Sequence, residues 1–126
     1  MSAVTRTERG WGGHFVGAAN CRFRRNTLLE LGDVRVVVST VGAYVPRSAR
    51  DYEELGFERH YETMAFHAEW EPPYWDADVS REIRFSSPWA LHGVERDSDA
   101  RANDMHEAVV TEIADKMERG KEMGEQ

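Results

Sequence analysis

The sequence predicts an α+β fold: an antiparallel sheet of two β-hairpins, about four strands, packed on one C-terminal amphipathic helix. Three observations carry this expectation. Residues 21–44 hold two β-rich runs around Gly32-Asp33. Residues 60–85 hold two alternating runs around Pro72-Pro73. Residues 99–119 repeat apolar side chains at helical spacing.

In the first hairpin, glycine at the leading turn position suits a type II′ turn, and that turn sets the register. Leu31 then faces Val34, Leu29 faces Val36, Thr27 faces Val38 and Cys21 faces Tyr44, with Glu30 opposite Arg35 as an ion pair. Arg22, Arg24, Leu28, Val37, Val41 and Ala43 fall on the second face. Residues 46–59 read as a polar connection with one helical turn over 48–55.

The second hairpin pairs 60–71 with 74–85. Its register sets Trp70 against Trp75, Ala68 against Ala77, Phe66 against Val79 and Glu62 against Ile83. On its polar face His67 lies opposite Asp78 and Glu69 opposite Asp76. After a loop over 86–98, where Trp89 and Leu91 close the core edge, the helix is expected from Asp99 to Arg119. Ser98 or Asp99 is its expected N-cap and Gly120 its stop. At about 100° per residue, Ala102, Met105, His106, Val109, Val110, Ile113 and Met117 share one face. Residues 9–20 read as a glycine-rich loop with a short strand at 14–16. The whole chain, 1–126, is expected to be one domain, with 1–8 and 121–126 loose.

Composition narrows the function classes. One cysteine, Cys21, permits no internal disulfide, and no secretory h-region or membrane-length apolar run occurs. The expected setting is the cytoplasm. Net charge is −7. Residues 20–50 carry six Arg against two acids, whereas residues 51–126 carry 20 acids against eight Lys or Arg. That balance disfavours non-specific nucleic-acid binding, where phosphate attraction dominates affinity. Nucleotide-loop, nucleophile-elbow and zinc-knuckle patterns are missing from the sequence, and nothing in it calls for a cofactor. His106-Glu107 does not continue into a zinc-protease motif, because position 110 is Val. His106 reads as a core-edge histidine with one satisfied nitrogen. Cys21, with His14 as a conceivable base, reads as a buried inert thiol.

The leading expectation is a non-enzymatic module that binds another protein. It has the character of the small inhibitors that phages and mobile elements use to occlude a basic or nucleic-acid-binding surface. Its contact residues are expected to be Glu69, Trp70, Glu71, Tyr74, Trp75, Asp76 and Asp78, acids flanking aromatic anchors at a hairpin tip. One alternative is an enzyme or metal-binding site on His67, Glu69, Asp76 and Asp78, where a histidine beside carboxylates supplies ligands or a base. A second is an anion or nucleic-acid contact through Arg22, Arg24, Arg25 and Arg47, since the guanidinium fork matches phosphate and carboxylate. Apolar residues on both faces of the first hairpin also suggest a homodimer, unless the N-terminal segment covers the second face.

Overall fold

The computed structural model describes residues 3–10, 14, 18–46, 51–55 and 59–120. Among the described residues, six strands and one α-helix make an antiparallel α+β fold. The strands are β1 (Thr5–Arg9), β2 (Cys21–Leu31), β3 (Val34–Tyr44), β4 (Arg59–Glu71), β5 (Tyr74–Ile83) and β6 (Ala90–His92). They precede the helix α1 (Ser98–Glu118). The sheet order is β1-β2-β3-β4-β5, and β6 pairs the β4 edge that β5 leaves.

The β2–β3 hairpin has the register expected of it, from Cys21↔Tyr44 to Leu31↔Val34. Gly32 sits at φ 58 and Asp33 has no positive φ, the signature of a II′ turn. Arg35 Nε bonds Glu30 Oε2 at 3.0 Å. The two strands beyond four were not foreseen. Thr5–Arg9 contains no apolar residue, so it offers no periodicity to read. It nevertheless pairs with Asn26–Glu30 along its whole length. Residues 51–55 form no helical turn, and Glu53 instead makes a β-bridge to Tyr44. His14 lies outside any strand.

The β4–β5 hairpin keeps the expected register only near its tip, where Glu71↔Tyr74, Trp70↔Trp75, Glu69↔Asp76 and Ala68↔Ala77 face each other. Pro72-Pro73 is a two-residue turn with a cis bond. Beyond Ala68 the next pairs are Phe66↔Glu82 and Ala65↔Ile83, so a bulge in β5 shifts the register by three residues. Val79, expected inward, is therefore exposed. Asp78 no longer stands opposite His67, and its Oδ1 accepts bonds from Ser80 N (3.1 Å) and Ser80 Oγ (2.6 Å) within the bulge.

The helix buries the face expected of it: Ala102, Met105, His106, Val109, Val110, Ile113 and Met117. They meet Leu29, Val36, Val38, Ala65 and Ile83 from one sheet face, with Ala43 and Tyr61 at the other end of the helix. Each fully buried Val, Leu or Ile contributes about 1.5–3 kcal/mol through its apolar surface. The N-cap is Asp97, without a side-chain cap bond. Ser98 Oγ accepts the Glu95 N–H at 2.6 Å instead. Gly120 ends the helix at φ 67.

The second sheet face is buried within one chain. Leu28, Val37 and Val41 are all inaccessible, so a second copy is not needed to cover them. Ala43 has a positive φ (54) that turns it from this face toward Tyr61 and the helix. Arg9 on β1 donates to the Trp75 carbonyl on β5. In a flat sheet these strands would stand about 19 Å apart, four strand spacings. The sheet and its projecting β4–β5 ribbon must therefore curl across the second face.

Candidate functional site

The ribbon tip is where the sheet leaves side chains available. Pairing of β3 with β4 stops at Val36↔His67, so residues 68–77 continue as a two-stranded ribbon beyond the body of the sheet. Alternation divides its residues between two faces. Trp70 and Trp75 share one face, their rings 5.3 Å apart, and Arg35 lies over Trp75 at 4.3 Å. Glu69, Glu71, Tyr74 and Asp76 share the other. Trp70 is 53% exposed and Tyr74 54%, while Trp75 is half-buried. At the ribbon end Trp70 on one face and Glu69, Glu71, Tyr74 and Asp76 on the other are exposed, so one partner surface wrapping the tip can reach Trp70 and the acids together. The Glu69 carboxyl is pushed up by partial desolvation and by repulsion from Asp78, Glu71 and Asp76. A cation placed among these acids would relieve that repulsion.

The proposed His67, Glu69, Asp76 and Asp78 centre is not assembled. No three of these residues bring donor atoms within 4.8 Å of one another. The β5 bulge is the physical reason, because it carries Asp78 past His67. Asp78 keeps a carboxyl pKa below the usual value, chiefly through its bonds to Ser80, and His67 contributes only electrostatically. Among the described residues, the one group that does meet that spacing is Glu8, His106 and Glu107. Its cations are already supplied by the chain. Arg25 bonds Glu8 at 2.7 Å and Glu107 at 2.5 Å, and Arg6 bonds both acids. The Glu107 carboxyl falls to about 2, chiefly through its Arg6 bond.

The basic cluster is distributed differently from its alternation. Arg22 and Arg25 both turn to the helix. Arg22 holds Asp99 at 2.8 Å and donates to the hydroxyls of Tyr52 (2.8 Å) and Tyr61 (3.0 Å). Arg25 holds Glu8, Asn103 and Glu107. An external anion there would compete with carboxylates already in place. Arg24 is exposed, and Arg47 lies outside the described residues.

Two buried polar chains escaped the sequence reading. On the helix side His106 is 0% exposed, and both its nitrogens are satisfied, not one. Thr27 Oγ1 donates to Glu8 Oε1 (2.8 Å), so it accepts from His106 Nε2 (2.7 Å). Thr40 Oγ1 then donates to Nδ1 (2.7 Å) and accepts from Thr63 Oγ1 (2.6 Å). This chain is complete with a neutral ring. Burial and the nearby Arg25 charge lower His106 to about 4.

On the second face His14 Nε2 donates to Glu62 Oε1 (2.8 Å), and Nδ1 lies 2.9 Å from Ser39 Oγ. Arg59 Nη1 meets the other Glu62 oxygen at 3.1 Å. Burial opposes the Glu62 charge, but His14 and Arg59 keep its carboxyl below the usual value. Hydroxyl, imidazole and carboxylate stand in the order of a nucleophilic triad. Ser39, however, is 1% exposed inside a strand, and its Oγ also accepts the His14 backbone N–H at 3.0 Å. The hydroxyl is spent on fastening His14 to the sheet and is not presented to a substrate. Cys21 is enclosed by Ala18 and Val41, and burial pushes its thiol up to about 11, away from a reactive thiolate.

Comparison with protein-family models, curated proteins and solved structures found no match. No helix among the described residues is long and apolar enough to cross a membrane.

Proposed function

We propose that this protein is a non-enzymatic binding module that docks the β4–β5 ribbon tip on a basic surface of another protein. The observation that carries the reading is the juxtaposition of exposed Trp70 and Tyr74 with Glu69, Glu71 and Asp76 on a ribbon that projects from a fully packed sheet. Aromatic side chains bring large contact area at low entropic cost, and flanking charges steer the encounter. A basic groove that normally takes nucleic acid has the matching chemistry. An inhibitor's role, closing such a groove in the cytoplasm, follows from that match. Trp75, clamped by Arg35, supports the tip more than it contacts a partner, and Asp78 adds negative charge from the bulge.

The test places a photo-crosslinking residue at Tyr74 and identifies what it captures in host lysate. The expected product is one protein with a strongly basic surface, lost in the Glu69→Lys, Glu71→Lys, Asp76→Lys triple variant and weakened by added salt. Capture that survives charge reversal, or a partner with an acidic contact surface, overturns the reading.

A further inference from the structure

β1 is an edge strand. It pairs with β2 on one side, and among the described residues no strand pairs its other side. Thr5, Arg6, Thr7 and Glu8 are exposed. Which of their main-chain groups face outward follows from the neighbouring hairpin. Its two-residue turn closes on Leu31↔Val34, and residues flanking such a turn exchange both N–H···O bonds. The register is unbroken from there to Asn26↔Ser39, so Leu29 and Thr27 also bond toward β3. Glu30, Leu28 and Asn26 then bond toward β1, where they stand opposite Thr5, Thr7 and Arg9. Arg6 and Glu8 lie between these positions and turn their main chain the other way. Their outward N–H and C=O groups meet no other main-chain group among the described residues.

We propose that this edge pairs with β1 of a second copy of the chain, antiparallel about a two-fold axis at Thr7. An outward-facing residue must stand opposite another outward-facing one. Near the centre of the strand, that leaves axes at Arg6, Thr7 or Glu8. An axis at Arg6 or Glu8 sets like charges face to face, which opposes pairing. The axis at Thr7 sets Arg6 of each copy opposite Glu8 of the other, and each such pair exchanges both main-chain bonds. The side chains agree with that choice. Arg6 and Glu8 point to the helix side, in one ion-pair network with Arg25 and Glu107. Its two guanidinium groups balance its two carboxylates, so two copies of the network can adjoin without repulsion in a chain of net charge −7. The paired edge is shorter than a standard interface, so the dimer dissociates on dilution.

The experiment places charges and thiols at the axis of the full chain. Sedimentation equilibrium should show a wild-type dimer that grows with concentration. Thr7→Lys or Thr7→Glu alone should abolish it, because like charges then meet at the axis, and an equimolar mixture of the two variants should associate again. Thr7 is exposed, and matched circular dichroism and thermal unfolding establish that both variants are folded. Thr7→Cys should form a disulfide dimer under mild oxidation. Its Cα atoms would stand about 4.5 Å apart, as in any non-bonded antiparallel pair. Thr5→Cys should not, since Thr5 and its copy would lie about 14 Å apart, four strand rises. The native Cys21 is buried and should not contribute. The triple lysine variant at the ribbon tip should dimerise like wild type, which separates this edge from the docking surface. A wild-type chain that stays monomeric, a dimer indifferent to charge at position 7, a mixture no better than either variant alone, or equal crosslinking at positions 5 and 7 overturns the proposal.

Discussion

Acidification from pH 7.5 to 5 should weaken this fold through one buried histidine. His106 stays neutral in the folded chain down to about pH 4, because burial and the neighbouring Arg25 oppose its charge. In the unfolded chain it takes up a proton near its ordinary value of 6.5. The unfolded state therefore binds the extra proton. Its contribution to stability is complete above pH 6.5 and declines as pH falls toward 4. By pH 5 the loss is about 2 kcal/mol, from 1.36 kcal/mol per pH unit over the unfolded titration. His106→Leu removes the titration. It leaves Thr27 bonded to Glu8 and Thr40 bonded to Thr63, so neither hydroxyl is orphaned. Urea unfolding of both proteins at pH 7.5 and 5 measures the effect. The stability gap between wild type and variant should narrow by about 2 kcal/mol. Imidazole NMR shifts should show His106 still neutral at pH 5.5. A constant gap, or a His106 ring that titrates near 6.5, would refute the buried neutral chain.

Other perturbations test the remaining framework. Gly42→Ala puts a methyl group 2.0 Å from Cδ2 of the buried Tyr61 ring, so it should cost at least about 2 kcal/mol by thermal unfolding. Glu62→Ala removes the carboxylate that the buried His14 ring and half-buried Arg59 share and should cost about 3–5 kcal/mol in urea. Glu112 accepts the Ser86 and Ser87 N–H groups, which hold its carboxyl near 2 despite partial burial. Its contribution is full above pH 4.5 and is lost as pH falls toward 2. Glu112→Gln should therefore flatten the acid limb of the pH–stability curve. Arg35→Ala removes the cation over Trp75, and the tryptophan emission should shift to the red as the ribbon loosens.

Local pattern reached a long way into this structure. The β2–β3 hairpin carries its own turn residue, its own ion pair and a face of β-branched side chains, and all three select one register. The helix face was readable because a 3.6-residue period needs no knowledge of the partner surface. The tip of the β4–β5 hairpin, from Ala68 to Ala77, was readable for the same local reason: alternation holds on either side of a single turn.

What the sequence could not determine depends on groups far apart in the chain. β1 has no apolar side chain, and it is held by backbone pairing and by Arg6 and Glu8 reaching Arg25 and Glu107. The β5 bulge sits inside a run whose apolar alternation only Arg81 interrupts, and no turn residue there marks the shift. That bulge dissolved the His67–Asp78 pair. The chains through His106 and His14 unite residues 79 and 48 positions apart, a closeness that follows from sheet order and helix docking alone. Burial then requires the polar groups of both chains to find their partners inside the fold.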